Sequence, residues 1–221
     1  ALATSAKGRV NFGTFHAVFF KILKFAYHYD GTNILKEEER YRMLRDIICA
    51  KIEQDFSDEK ELVEAISGEV SRVKNERFSL ESYYSVNCPD DVFREIYREY
   101  DRRLRRENKV DFDDMQLLCY ELLVKRPDIL RQWQQKYTYV LIDEFQDINR
   151  LQYDTVRMLA EPENNLFIVG DDDQSIYRFR GAKPELMLHF REDFPEAKQV
   201  TLLCNFRSTA PIVQAALRVV G

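Results

Sequence analysis

Apolar residues recur along the first half of the chain at three- and four-residue steps, the period of an α-helix, and later in short unbroken runs, the habit of buried strands. Residues 9–29 predict a short β-like stretch at Val10 and Phe12, a turn at Gly13–Thr14, and an apolar helix from Phe15 to about Tyr29. Residues 30–108 predict almost nothing but highly charged helix. Ser57, followed by Asp58 and Glu59, is an N-cap with acids in the first turn, and Leu62, Ile66, Val70 and Val73 then repeat at helical spacing. Pro89 opens another helix with Asp90 and Asp91 behind it, and Val92, Ile96, Tyr100 and Leu104 line one face.

From residue 109 the rhythm changes. Asp111-Phe112-Asp113-Asp114 leads a helix whose apolar positions are Phe112, Met115, Leu118, Cys119, Leu122 and Leu123, with Pro127 as its stop. Three apolar runs follow, Tyr137–Ile142, Leu166–Val169 and Gln199–Leu203, which predict strands covered on both faces in a parallel sheet. Asn149 with Gln152 forms a capping box between the first two. Strands alternating with helices imply an α/β fold. Seven glycines and six prolines leave no flexible linker, and no internal repeat is present.

A length of 221 residues allows one large domain or two small ones. The net charge of −5 gives no global sign of nucleic-acid binding, but DNA needs only a local basic strip. Arg102, Arg103, Arg105 and Arg106 cluster at a helix end. There they either complement the helix dipole, the simpler reading, or contact phosphates. Cys49, Cys88, Cys119 and Cys204 lack zinc-site spacing. With no secretory signal and no membrane-length apolar run, reduced thiols in a cytoplasm and no membrane contact are expected. The chain begins with Ala1, so its N-terminus is expected to be processed or cut.

The chemistry concentrates in three segments. Val140-Leu141-Ile142 runs into Asp143-Glu144-Phe145-Gln146-Asp147. Ligands of open α/β sheets bind at the carboxyl ends of strands, where these acids fall. One carboxylate can hold hydrated Mg²⁺ on nucleotide phosphates, and its neighbour can polarise a water. The plainer alternative makes both acids the start of a loop, yet the next helix already has Asn149 as its cap. The second segment is Gly170 followed by Asp171, Asp172, Asp173 and Gln174, then Tyr177, Phe179 and Arg180. Three adjacent acids imply a cation or solvent, and rings interleaved with Arg suit single-stranded nucleic acid, although Tyr177 and Phe179 could equally be core. The third is Asn205-Phe206-Arg207-Ser208, where Arg207 could meet a γ-phosphate and Phe206 a base, or both could be an ordinary strand end.

Together these segments resemble the UvrD/Rep/PcrA family of superfamily 1 helicases. Asp143–Asp147 is similar to its motif II, Gly170–Ala182 to motif III and Asn205–Ser208 to motif IV. Thr14-Phe15-His16 resembles its DNA-contact TFH element, and Asp111–Asp114 its short DFDD element. The resemblance covers both ends of the chain. The helical middle matches in position and character, as an inserted 1B subdomain would. It implies a partial RecA-like P-loop NTPase parallel sheet with an inserted all-helical subdomain. The implied divisions are 1–29 and 109–200 in motor domain 1A, 30–108 in the insert, and 201–221 at the start of a 2A-like domain.

The implied roles follow. Asp143 would coordinate Mg²⁺, Glu144 would activate the hydrolytic water, Gln174 would sense the γ-phosphate of ATP, and Arg207 would stabilise transition-state charge. Phe206 would pack near the adenine. Thr14, Phe15, His16, Tyr177, Phe179 and Arg180 would contact single-stranded DNA. The family commonly carries Trp at the position of Phe179, Tyr at Phe206 and Gln at Cys204; the first two changes keep a ring.

No glycine is followed by Lys-Ser or Lys-Thr, so the phosphate-cradling loop of this fold is absent from the sequence. The chain is therefore expected to be part of a longer ATP-driven translocase moving 3′ to 5′ on single strands and opening duplex junctions, and to hydrolyse no ATP by itself. Two alternatives come from other classes. A metal-dependent nuclease built on Asp143, Glu144 and Asp171–Asp173 is one. A non-catalytic single-strand-binding module is the other.

Overall fold

Helix α1 (Phe15–Tyr27) starts where Thr14 accepts the Ala17 N–H on its hydroxyl. It stops where His28 turns into the left-handed region, at φ 59°, and donates its N–H to Lys24. The computed structural model describes residues 10–52, 59–175 and 181–220. They fall into two compact units, Ala1–Leu141 with Asn149–Phe167, and Ile142–Ile148 with Ile168–Gly221.

In the first unit the chain passes from α1 into three charged helices, α2 (Glu37–Lys51), α3 (Glu59–Asn75) and α4 (Asp90–Arg106). Their inner faces close one apolar core, with Leu44, Ile47, Val63, Ile66, Val70, Phe93, Ile96 and Tyr100 fully buried. Burying each such side chain is worth about 1.5–3 kcal/mol. A second core lies under α1, α5 (Phe112–Lys125) and α6 (Pro127–Lys136), and holds Phe19, Ile22, Leu23, Met115, Cys119, Leu123 and Trp133. The helical block between them leaves and returns through one spot. Ile34 and Val110 form a parallel bridge, with Leu35 N–H donating to Val110 (2.9 Å) and Val110 N–H donating to Asn33 (2.8 Å).

A buried polar cluster joins block and base. Lys74 of α3 donates to Asp111 at 2.8 Å and reaches Asp114 at 2.7 Å, while the Tyr100 hydroxyl donates to Asp111 at 2.7 Å. Arg40 of α2 and Ser71 and Asn75 of α3 close on Asp113 at 3.3, 2.6 and 2.8 Å. Asp111 also caps α5, accepting the Asp114 N–H at 2.7 Å. The three acids that open α5 thus bind helices of the charged block rather than solvent.

Beyond α6, β1 (Val140–Ile142) and β2 (Leu166–Ile168) pair as a two-stranded parallel sheet, with α7 (Arg150–Ala160) between them in sequence. Helices α8 (Glu185–Leu188), α9 (Phe190–Asp193) and α10 (Ala210–Val220) complete the described chain. No described helix is long and apolar enough to cross a membrane.

Several expectations need correction. Val10 and Phe12 form no strand and lie exposed, because no neighbouring strand offers them hydrogen bonds among the described residues. Gln199–Leu203 is likewise not a strand, and Leu203 is 89% exposed. The sheet is not covered on both faces, since Leu141 and Phe167 are 72% and 61% exposed. Phe93 rather than Val92 fills the α4 core position, and Val92 packs only at the margin. Pro127 ends one helix and also begins α6 as its first residue, where its missing N–H costs nothing. The arginines at the end of α4 pair with acids of their own surface, Arg103 with Glu99 at 2.8 Å and Arg105 with Asp101 at 2.9 Å. Ser57 and Asp58 lie outside the described residues.

Candidate functional site

The carboxylate turn belongs to the second unit. Strand pairing carries on past β1: Val169 N–H donates to Ile142 and Phe145 N–H to Val169, both at 2.9 Å. That holds the Asp143–Glu144 corner on the continuation of β2. Asp143 is exposed and accepts the Glu144 N–H at 3.0 Å. Glu144 sits in the left-handed region at φ 52°, ψ 46°, a conformation that disfavours a side chain with a Cβ and stores about 1–3 kcal/mol. Phe145, fully buried edge-on against Phe190, anchors the corner.

Gln146 connects this corner to the second acidic segment. Its Nε2 donates to Glu144 Oε2 at 2.8 Å, and its Oε1 accepts the Asp171 N–H at 3.0 Å. Asp171 then accepts Gln174 Nε2 at 2.7 Å and the Asp173 N–H at 3.2 Å. Glu144 and Gln174 are therefore ends of one hydrogen-bonded chain whose middle, Gln146, is buried. Gly170 makes the close approach possible. A Cβ there would lie 2.7 Å from Gln146 Oε1 and 2.7 Å from Met187 Sδ. The sequence reading gave no role to Gln146; its signal was a neutral amide between acids in a segment buried by Phe145 and Ile148.

Asp171 is committed to local donors, and among the described residues no group of three or more acids, histidines or cysteines could hold a metal ion. Asp143 alone still suits Mg²⁺, which takes one or two protein carboxylates and keeps its waters.

Tyr177, Phe179 and Arg180 lie outside the described residues. Phe206 is 96% exposed and Arg207 exposed, in a segment shaped by Asn205 Oδ1, which accepts the Arg207 and Ser208 N–H groups at 2.9 Å each. Neither side chain is part of the Glu144–Gln174 chain of bonds.

In the first unit, Thr14 serves as the cap of α1, and Phe15 packs half-buried on Phe19 with ring centroids 5.8 Å apart. His16 is half-buried and meets the DFDD element directly, edge-on to Phe112 at 5.2 Å. Its Nε2 lies 3.2 Å from Nε2 of Gln116, whose Oε1 accepts the Asn149 amide at 2.9 Å. Burial lowers the His16 pKa, against the charge of Asp113 and a hydrogen bond to the Phe112 backbone. The ring is thus biased toward its neutral form.

The chain is 42% identical over 218 residues to a putative ATP-dependent DNA helicase, YjcD, of Bacillus subtilis (strain 168), covering 94% of this chain and 27% of that protein. It is 35% identical over 213 residues to the ATP-dependent DNA helicase PcrA of the same organism, covering 94% and 28%. It is 33% identical over 221 residues to DNA helicase II of Escherichia coli (strain K12), covering 97% and 30%. The chain thus spans about a third or less of the length of these relatives. Residues 2–195 match the UvrD/REP helicase N-terminal domain, and the chain belongs to that family.

Proposed function

We propose that this chain is part of an ATP-driven motor that moves 3′ to 5′ along single-stranded DNA and opens duplex junctions. The observation that carries the reading is the bonded path Glu144–Gln146–Asp171–Gln174, which joins the end of β1 to the turn after β2. A base that polarises water and an amide that senses the same phosphate must be held in fixed relation, and this path does so with a buried connector.

Within that reading Glu144 is the general base, and its strained backbone aims the carboxylate. Asp143 would hold Mg²⁺, which when bound would neutralise charge on the ATP phosphates. Gln174 faces the γ-phosphate, Arg207 stabilises transition-state charge, and Phe206 packs near adenine. Thr14, Phe15, His16, Tyr177, Phe179 and Arg180 contact the single strand. The parallel pair β1–β2 belongs to a RecA-like sheet. Separate cores for residues 35–104 and for the α1–α5–α6 base support an insert at 30–108 between motor segments at 1–29 and 109–200, with a 2A-like domain starting at 201. Among the described residues no group of acids is gathered into a metal-holding cluster, which counts against the nuclease alternative.

The test is steady-state phosphate release. Full-length protein bearing Glu144→Gln should retain ATP binding and lose at least about 10²-fold in kcat. This 221-residue chain should bind single-stranded DNA and release no phosphate. Wild-type turnover by the Glu144→Gln protein would overturn the assignment.

A further inference from the structure

The polar atoms around His16 can be given donor and acceptor roles from one fixed point. Asn149 caps α7, and its Oδ1 accepts the Gln152 N–H at 2.8 Å. A backbone N–H can only donate, so Asn149 Oδ1 is fixed as the acceptor and its Nδ2 must point the other way. That Nδ2 donates to Gln116 Oε1 at 2.9 Å, which leaves Gln116 Nε2 facing His16 Nε2 at 3.2 Å. Nε2 of Gln116 is a donor only, so the facing histidine nitrogen must be bare. The proton then sits on Nδ1, consistent with the hydrogen bond between the ring and the Phe112 backbone. Gln116 and Asn149 are both buried, so water does not readily substitute for either partner.

We propose that Gln116 is a positioning residue that fixes His16 in its neutral Nδ1–H form by reading the orientation of the α7 cap. It thereby ties the Thr14–His16 element to the helix that follows the Asp143–Asp147 turn in sequence. Adding a proton at His16 Nε2 sets two donors against each other. Relief requires the Gln116 amide to flip, which turns its Nε2 toward the Asn149 amide and costs a buried bond. The charged side chain facing the ring is Asp113 of α5, itself held by Arg40, Ser71 and Asn75. Nε2 is engaged by Gln116, so a nucleic acid meets this ring at its edge and face rather than through a hydrogen bond to Nε2. This use of the locked ring rests on the single-strand reading above; the lock itself does not.

The experiment uses the 221-residue chain. Long-range ¹H–¹⁵N spectra identify which His16 nitrogen bears the proton. Wild type should show Nδ1–H. Asn149→Asp keeps a good cap but presents only acceptors to Gln116, so it should turn the amide over, face its Oε1 to the ring and shift His16 toward Nε2–H. Gln116→Glu should place a proton on Nε2 and raise the midpoint of His16 titration. A merely structural Gln116 would not let a change at Asn149, two bonds away, alter His16 protonation. An Nε2–H ring in wild type, or an Asn149→Asp spectrum identical to wild type, overturns the proposal. In a second arm, anisotropy of labelled oligo-dT should show Gln116→Met binding about fivefold more weakly. If the tautomer results hold while wild type fails to bind oligo-dT, the lock stands and the single-strand reading fails. If binding persists undiminished in Gln116→Met, the positioning role fails.

Discussion

Lys74 Nζ lies 2.8 Å from Asp111 Oδ2, with both side chains only 1% exposed. The pair links α3 of the helical block to the first turn of α5, where Asp111 also serves as helix cap and receives the Tyr100 hydroxyl. Opposite charges at this depth hold because each has several partners. Removing one leaves the other stranded. Asp111→Asn or Lys74→Met should each destabilise the chain by about 3–5 kcal/mol in urea denaturation. The double variant should cost markedly less than the sum. Strict additivity would show that the two groups do not depend on each other.

The same cluster gives stability a pH signature. Burial and the charge of Asp111 push Asp114 up to about 7, against the pull of Lys74. Burial also opposes ionisation of Asp111, but Lys74 and Arg40 outweigh it and hold this carboxyl at about 2. Unfolded aspartate titrates near 3.9. From about pH 4 to 7 the native Asp114 keeps a proton that the unfolded chain has lost, so its share of stability falls as pH rises through that window. Asp111 acts in the other direction: its contribution is full above about pH 4 and is lost as pH falls toward about 2. Asp114→Asn should remove the decline between about pH 4 and 7, at most about 1.4 kcal/mol per pH unit. Wild-type and variant urea midpoints that run parallel over that window would contradict the assignment.

Gly170 sits where no side chain fits. Its missing Cβ would lie 2.7 Å from Gln146 Oε1 and 2.7 Å from Met187 Sδ. The methionine can swing aside, but Gln146 is bonded at both ends. Gly170→Ala should therefore break the Gln146–Asp171 bond and cost about 1–3 kcal/mol. Shortening the connector as well, in Gly170→Ala with Gln146→Ala, should recover part of that loss on thermal unfolding. Equal or greater loss in the double variant would mean that the alanine strains something else.

Helix faces were legible in the sequence because they are local. Ile66, Val70 and Val73 fall in the core at the spacing that names them, and Asn149 caps α7 with Gln152 as the capping-box pattern implies. The strands were legible only where a partner runs beside them. Val140–Ile142 and Leu166–Ile168 have each other, whereas Gln199–Leu203 has an apolar pattern but no partner among the described residues. Periodicity records what a side chain prefers, not whether a neighbouring backbone is present. For the candidate site, Asp143, Glu144 and Gln174 drew notice as polar residues following apolar runs. The connectors did not. Gln146 and Gln116 are neutral amides beside acids that draw the eye first, and their roles depend on contacts with Asp171, 25 residues on, and His16, 100 residues back.

The bridge between Ile34 and Val110 gives the helical block a single doorway. Chain enters and leaves the base as adjacent hydrogen-bonded residues, so the base is continuous whether the block is large, small or exchanged for another. The bridge leaves the block open to replacement without rerouting the chain beneath. Any substitute inherits the acids that open α5: it must bring a cation to Asp111 and donors to Asp113, or those residues must change in the same step.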